Sequence, residues 1–237
     1  MRLKYFSYRY AKEILEHENY ISAYNEINKV IENTPLFIYP EKSSKNHKLD
    51  VVQQVMNTYF DRRLSLDLDW EYHPLATTIS NSGLTADFRK RFDDLTIQVE
   101  VQFGNMSRWY SDIFKFQTAY SQNITQMGLC IIPTGPLATR VDSNVVNFER
   151  VRRELPFANL SISLPILVIG IEPDANTRII DLSRSKFKSI KDITGKGKEL
   201  NKWRIVNNIL SGINIENIGP ESDSGNTLTP PIEIEDI

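Results

Sequence analysis

The chain has 237 residues, with 28 Lys and Arg against 30 Asp and Glu, a formal charge of −2, and 41% apolar residues. That is enough chain for one substantial core or two small ones. The balanced charge excludes a histone-like polycation, and 24% charged with 10% aromatic residues excludes a wholly disordered chain.

The longest mainly apolar run, residues 162–171, is far below the roughly 20 residues of a membrane-spanning helix. The polar opening MRLKYFSYRYAKE is not that of a signal peptide, so no membrane role and a cytoplasmic address are expected. A lone cysteine, Cys130, cannot form an internal disulfide, and His17, His47 and His73 are too scattered for a zinc spacing.

In chain order, Ile21, Tyr24, Ile27 and Ile31 recur at spacings of three and four and predict a helix, before Pro35 and Pro40 punctuate the chain. Asp50 followed by Gln53 resembles a capping box opening a second helix along Val52, Val55 and Tyr59. Residues 77–85 are small and polar, an exposed connection. Residues 95–103, LTIQVEVQF, are β-branched and alternating, and Gly104 with Asn105 ends them; they predict a central strand. Ser107 can cap a helix whose Trp109, Ile113, Phe116 and Tyr120 form one apolar face, which core packing alone explains. GLCIIP at 128–133 predicts a buried strand with Cys130 as a small apolar filler. Phe148, Val151 and Leu155 mark another helix, and residues 164–171, with Pro165 near their start, another strand. Strand, helix, strand, helix, strand is the order of an α/β core.

After Pro173 the charge separates. Residues 184–204 hold eight Lys or Arg and two acids, whereas residues 216–237 hold six acids and no Lys or Arg. The expected organisation is a main domain over 1–173 with a helical N-terminal part, a basic extension over 174–218, and an acidic, poorly ordered tail over 219–237.

The chemistry centres on the strand. Side chains alternate along it, so Glu100 and Gln102 share one face while Val99, Val101 and Phe103 take the other. Such a pair is often only the solvated face of a sheet. Joined by a second carboxylate, Glu100 would form an oxygen site for Mg²⁺. Asp87, upstream in TADFRK, is the candidate, with Asp93 and Asp94 as rivals nearer the strand.

Asp87-Phe-Arg-Lys90 followed by Val99-Glu-Val-Gln-Phe-Gly104 resembles the active-site region of type II restriction endonucleases of the BglII/BstYI kind, within the PD-(D/E)XK nucleases. The similarity extends through the aromatic helix, GLCIIP and LPILVIGI, and more loosely to residues 56–70. Its most specific feature is Gln102, since most PD-(D/E)XK nucleases carry Lys there and glutamine marks this group. The resemblance implies a restriction-endonuclease-like α/β core with a mixed central sheet flanked by helices. It implies that Asp87 and Glu100 are metal ligands, that Val101 donates its backbone carbonyl, and that Gln102 positions the attacking water or the metal shell. A neutral amide does not titrate, so Gln102 would orient rather than ionise. About four extra residues, Arg91, Phe92, Asp93 and Asp94, separate the two motif halves here. A longer hairpin turn would leave Asp87 in place, and a slipped register would pass its role to Asp93 or Asp94.

The same resemblance implies Mg²⁺-dependent, site-specific hydrolysis of double-stranded DNA, a homodimer on a palindromic site, and a cognate methyltransferase protecting host DNA. Asn105 after the strand and the loop carrying Arg140, Ser143 and Asn144 are the expected base-reading positions, and Arg108 a phosphate contact. The alternatives are a structure-specific repair or junction nuclease, and a non-catalytic DNA-binding subunit with the same fold.

Overall fold

A computed structural model of the chain describes residues 1–43, 46, 48–159 and 161–222. It opens with strand β1 (Arg2–Tyr8), helices α1 (Ala11–Leu15) and α2 (Ile21–Glu32), the short strand β2 (Leu36–Ile38) and helix α3 (Gln53–Asp61), which runs on into a π-helical turn at Arg62–Leu66. The middle holds β3 (Glu71–Tyr72), β4 (Phe88–Phe92), β5 (Leu95–Val101), α4 (Met106–Ser121), β6 (Met127–Pro133), α5 (Gly135–Val141), α6 (Phe148–Glu154) and β7 (Ile166–Glu172). Strand β8 (Ile179–Asp181) and helices α7 (Ile190–Thr194) and α8 (Glu199–Leu210) follow.

Among the described residues, six strands form one mixed sheet in the order β1-β7-β6-β5-β4-β3, and β2 pairs with β8 in parallel beside it. β5, β6 and β7 are parallel neighbours, while β1 joins β7 and β4 joins β5 antiparallel. Every residue of β6 is buried, which is why its sequence is a continuous apolar run rather than an alternation. Along β6 the side chains still sort by parity. Cys130 and Ile132 pack with Trp109 and Phe116 of α4, Val151 of α6 and Val168 of β7. Leu129 and Ile131 face the other way, onto the cluster that includes Ile27 of α2, Val55 of α3 and Val141 of α5. Ile180, Leu182, Ile193, Ile205 and Ile209, from the basic extension, belong to that same cluster.

Several local expectations change. The N-terminal part is not helical throughout, because β1 pairs with β7 along its whole length and β2 lies before α3. β5 ends at Val101 rather than at 103. The residue that caps α4 is Asn105, not Ser107: its side chain accepts the Arg108 N–H at 3.1 Å. α3 starts after Val52 with no side-chain cap, since Asp50 is held by Arg140 in a two-pronged pair at 2.9 and 2.6 Å. Among the described residues no helix is long and apolar enough to cross a membrane. His47 and residues 223–237 of the expected acidic tail lie outside the described residues.

Candidate active site

The β4–β5 hairpin sets the first pair of carboxylates. Phe92 pairs with Leu95, so Asp93 and Asp94 are the two turn residues, and Asp93 takes the left-handed conformation (φ 53°) such a turn needs. Phe88 pairs with Val99, so Asp87, one step beyond, sits opposite Glu100. Its Oδ2 accepts the Val101 N–H at 2.7 Å, which locks the carboxylate to the backbone beside Glu100. The hairpin register thus brings Asp87 to Glu100 and leaves Asp93 and Asp94 at the far end of β5, roughly 17 Å away at strand rise. Asp94 there accepts the Tyr20 hydroxyl.

Glu100 does not lie on a solvated sheet face: it is 1% exposed and turned toward α4. Gln98, two residues back on the same face, donates to Glu100 Oε1 at 3.1 Å. The opposite oxygen is met by the ammonium of Lys115, which also pairs with Asp112 Oδ1 at 2.9 Å. Arg108, Asp112 and Lys115 follow one another at four and three residues, so they form one polar stripe of α4 aimed at the sheet edge. Gln102 is held at both ends of its amide. Its Nε2 donates to Asp112 Oδ2, and its Oε1 accepts the Gly104 N–H at 2.6 Å.

These groups floor a cleft of about 750 Å³ whose third wall is α3, through Gln53, Asn57 and Asp61. Asn105, Asp142 and Asn144 stand at its rim, where Asn105 bridges to Val145 and Val146 donates to the Gly104 carbonyl at 2.9 Å. The carboxylates lining the cleft are Asp61, Asp87, Glu100, Asp112 and Asp142, against the cations Arg108 and Lys115. Burial raises the pKa of Asp87, and Lys115 with the Val101 N–H offsets it only in part. Burial and then the charge of Asp87 push Glu100 well up, burial raises Asp112, and burial with Asp87 beside it brings Asp61 to about 8. For Lys115, burial works against the charge, but Glu100, Asp112 and Asp87 outweigh it and keep the ammonium ionised.

An acidic cleft of this kind opposes a polyanionic substrate unless a cation enters it. The donors fit a hard divalent ion: Asp87, just before β4, faces Glu100 on β5, both are raised in pKa chiefly by burial, Glu100 further by Asp87, and the Val101 backbone lies between them. Among the described residues no three His, Cys, Asp or Glu side chains converge as a ready-made ligand set.

The family model described as "Restriction endonuclease BglII/BglIII" matches residues 3–171, which is most of the chain and includes every residue that lines this cleft. The chain belongs to this restriction endonuclease family. Members of the family typically use a divalent metal ion, in keeping with the donor set above. As a BglII/BglIII relative it also shares the fold. A crystal structure of restriction endonuclease BglII complexed with a DNA 16-mer is similar with a TM-score of 0.62 at 20% identity, covering 75% of this chain and 81% of that one. A crystal structure of free BglII is similar with a TM-score of 0.49 at 18% identity, covering 75% and 82%. No curated protein matches the sequence.

Of the residues singled out from the sequence, Asp87, Glu100, Val101, Gln102, Asn105, Arg108 and Asn144 all line the cleft. Arg140 and Ser143 do not: Arg140 is paired with Asp50, and the Ser143 hydroxyl donates to Asp142 Oδ1 at 3.2 Å. Sequence reading missed Asp61, Asp112 and Lys115. The polar stripes Gln53, Asn57, Asp61 on α3 and Arg108, Asp112, Lys115 on α4 were the available signal, opposite the apolar faces that define each helix. His73, at φ 49°, stacks on Tyr72 at 3.9 Å between ring centroids and also lines the cleft.

Proposed function

We propose that the chain is a type II restriction endonuclease that hydrolyses phosphodiester bonds of double-stranded DNA at a specific, palindromic site with Mg²⁺. The observation that carries this reading is the register pairing of Asp87 with Glu100 at the floor of a cleft rimmed by Asn105, Arg108 and Asn144. Asp87, Glu100 and the Val101 carbonyl are the groups that would hold the ion. Held there, Mg²⁺ would supply the acidity that ionises a water and the charge that offsets that developing on the phosphate.

The chain's own residues do the rest. Gln102 keeps the Gly104 turn and Asp112 in place, which fixes α4 relative to β5. Lys115 holds the Glu100 carboxylate in its rotamer and supplies a permanent positive charge at the cleft floor. Arg108 contacts phosphate at the rim. Asn105 and Asn144 face base edges, with Ser143 in the same loop as Asn144 and Arg140 in the last turn of α5 before it, Arg140 exchanging Asp50 for DNA.

A palindrome has a twofold axis, which a homodimer matches. The exposed aromatics Tyr110 and Phe114 on α4, and Phe157 just after α6, supply an apolar surface for the second copy. Tyr110 donates to Glu154 at 3.2 Å, which ties the two helices into one surface. The enzyme would work in the cytoplasm, with a methyltransferase protecting host DNA.

Digestion of plasmid DNA with Mg²⁺, followed by sequencing of the ends, tests the reading. Discrete fragments with one common end sequence are expected. Cuts confined to branched or damaged DNA would instead make it a structure-specific nuclease, and binding without any cleavage a non-catalytic subunit.

A further inference from the structure

α3 carries two faces. Val55, Met56, Tyr59 and Phe60 are buried in the core, while Gln53, Asn57 and Asp61, each four residues after the last, line the cleft that holds Asp87 and Glu100. Asp61 is the end of this stripe that feels the charge of Asp87, so the stripe runs away from the catalytic floor toward Gln53. Four residues of helix rise about 6 Å, close to the step between neighbouring phosphates on one strand.

The amides on this stripe are not satisfied within the protein. Gln53 Oε1 and Asn57 Oδ1 are buried and have no hydrogen-bond partner among the described residues. Both side chains line the cleft, and a primary amide there offers its NH₂ to phosphate oxygens, which only accept.

α8 packs against α3, and the Arg62 guanidinium donates to Asn207 Oδ1 at 3.1 Å, joining the end of α3 to it. This places Lys202 where its charge acts on Asp61. Lys202 is half-buried and has no ion-pair partner among the described residues. α8 lies beyond residue 171, outside the segment the family model covers, so this cation comes from the basic extension.

We propose that α3 and α8 form a second backbone-binding wall: the amides of Gln53 and Asn57 and the ammonium of Lys202 hold the phosphates flanking the bond to be cut. The strand then enters along α3 before it reaches Asp87 and Glu100. This rests on the nuclease reading above. Neutral donors suit the outer positions of the stripe, and the full charge of Lys202, beside Asp61, offsets the carboxylates that crowd its inner end. Because phosphates carry no base identity, the wall adds affinity to every duplex alike.

The test uses the full chain and its Asn57→Ala and Lys202→Gln variants, with a duplex carrying the mapped cleavage site and an unrelated duplex. Fluorescence anisotropy with Ca²⁺ in place of Mg²⁺, across a salt series, reads binding, and steady-state cleavage with Mg²⁺ reads kcat and KM. Each variant should weaken both duplexes by about tenfold and raise KM similarly, with a much smaller change in kcat. Lys202→Gln should lower the salt slope by about one, and Asn57→Ala should leave it unchanged, because an amide releases no counterion. A wild-type enzyme that cuts DNA, with variants whose affinity, KM and salt slope equal its own, overturns the wall and leaves the nuclease reading standing. A wild-type chain that neither binds nor cuts duplex DNA overturns that reading and the wall with it. Should Asn57→Ala fail to fold by circular dichroism, an unchanged slope in Lys202→Gln is sufficient to reject the proposal.

Discussion

Lys115, on α4, is ion-paired with Glu100, on β5, although fifteen residues separate them in sequence. The strand position two residues after Glu100 is occupied by the neutral Gln102, and the cation beside Glu100 arrives from the neighbouring helix. Lys115→Met removes the ammonium from the cleft floor and leaves Glu100 and Asp112 buried without it. Urea unfolding at neutral pH should show a loss of about 3 kcal/mol. Part of it should return in acid, where the two orphaned carboxyls protonate. Cleavage should fall by about 10²-fold. A variant as stable and as active as the parent would show that the pair does not form in solution.

Glu100→Gln keeps the side chain's shape and its hydrogen-bonding reach but removes the charge. Cleavage with Mg²⁺ should drop by at least about 10²-fold, while duplex affinity measured with Ca²⁺ changes only a few-fold. Near-normal cleavage would remove Glu100 from the machinery.

Gly104 is required by contact rather than by backbone angle. A Cβ placed there would lie 2.5 Å from Gln102 Oε1 and 2.7 Å from Arg108 Cδ. Gly104→Ala must therefore displace the amide that holds Asp112 and the cation at the rim. A destabilisation of about 1–3 kcal/mol is expected in thermal or urea unfolding, with kcat/KM reduced more than the stability loss alone would cause. Normal kinetics in this variant would show that the Gln102 bridge is dispensable.

The raised carboxyl pKa values fix the direction of the pH dependence. Asp61, Asp87, Glu100 and Asp112 all bind protons more tightly in the folded chain than in the unfolded one. Ionising them costs stability, so their contribution is fully favourable only in acid and declines as pH rises above the ordinary carboxylate range, for Asp61 up to about 8. Urea midpoints in metal-free buffer from pH 5 to 8 should fall with pH, and Asp61→Asn should flatten the curve. A midpoint that rises across this window in the parent chain would contradict the buried state of these groups.

Mg²⁺ should oppose that decline, because an ion bound only by the native state stabilises it by mass action. At a hundred times its dissociation constant the gain is about 2.7 kcal/mol. The rise in melting temperature should be largest at pH 8 and absent in Asp87→Asn. An equal rise in that variant would place the ion elsewhere.

Patterns of local origin were legible without coordinates. The alternation over β5 put Glu100 and Gln102 on one face, and the apolar runs of β6 and β7 and the aromatic stripe of α4 marked the core around them. β1 was hidden because it is an edge strand with mostly half-exposed side chains, and its partner β7 lies over 150 residues away. Lys115, Asp112 and Asp61 were hidden for a related reason. Each sits on the polar side of an amphipathic helix, where charged residues ordinarily meet water, and nothing local says which of them a sheet edge will cover.

The order of residues by itself determined the strand–helix alternation, the face that Glu100 takes, and the motif that marks the family, because these depend on neighbours within a few positions. The tertiary structure alone decided that Asp87 rather than Asp93 or Asp94 stands beside Glu100, that Arg140 is engaged by Asp50, and that α3 and α4 bring three further charged groups, Asp61, Asp112 and Lys115, to one cleft. Hairpin register and helix docking are set by which apolar surfaces bury each other across the whole chain, so the polar groups carried on those surfaces meet only once the core has formed.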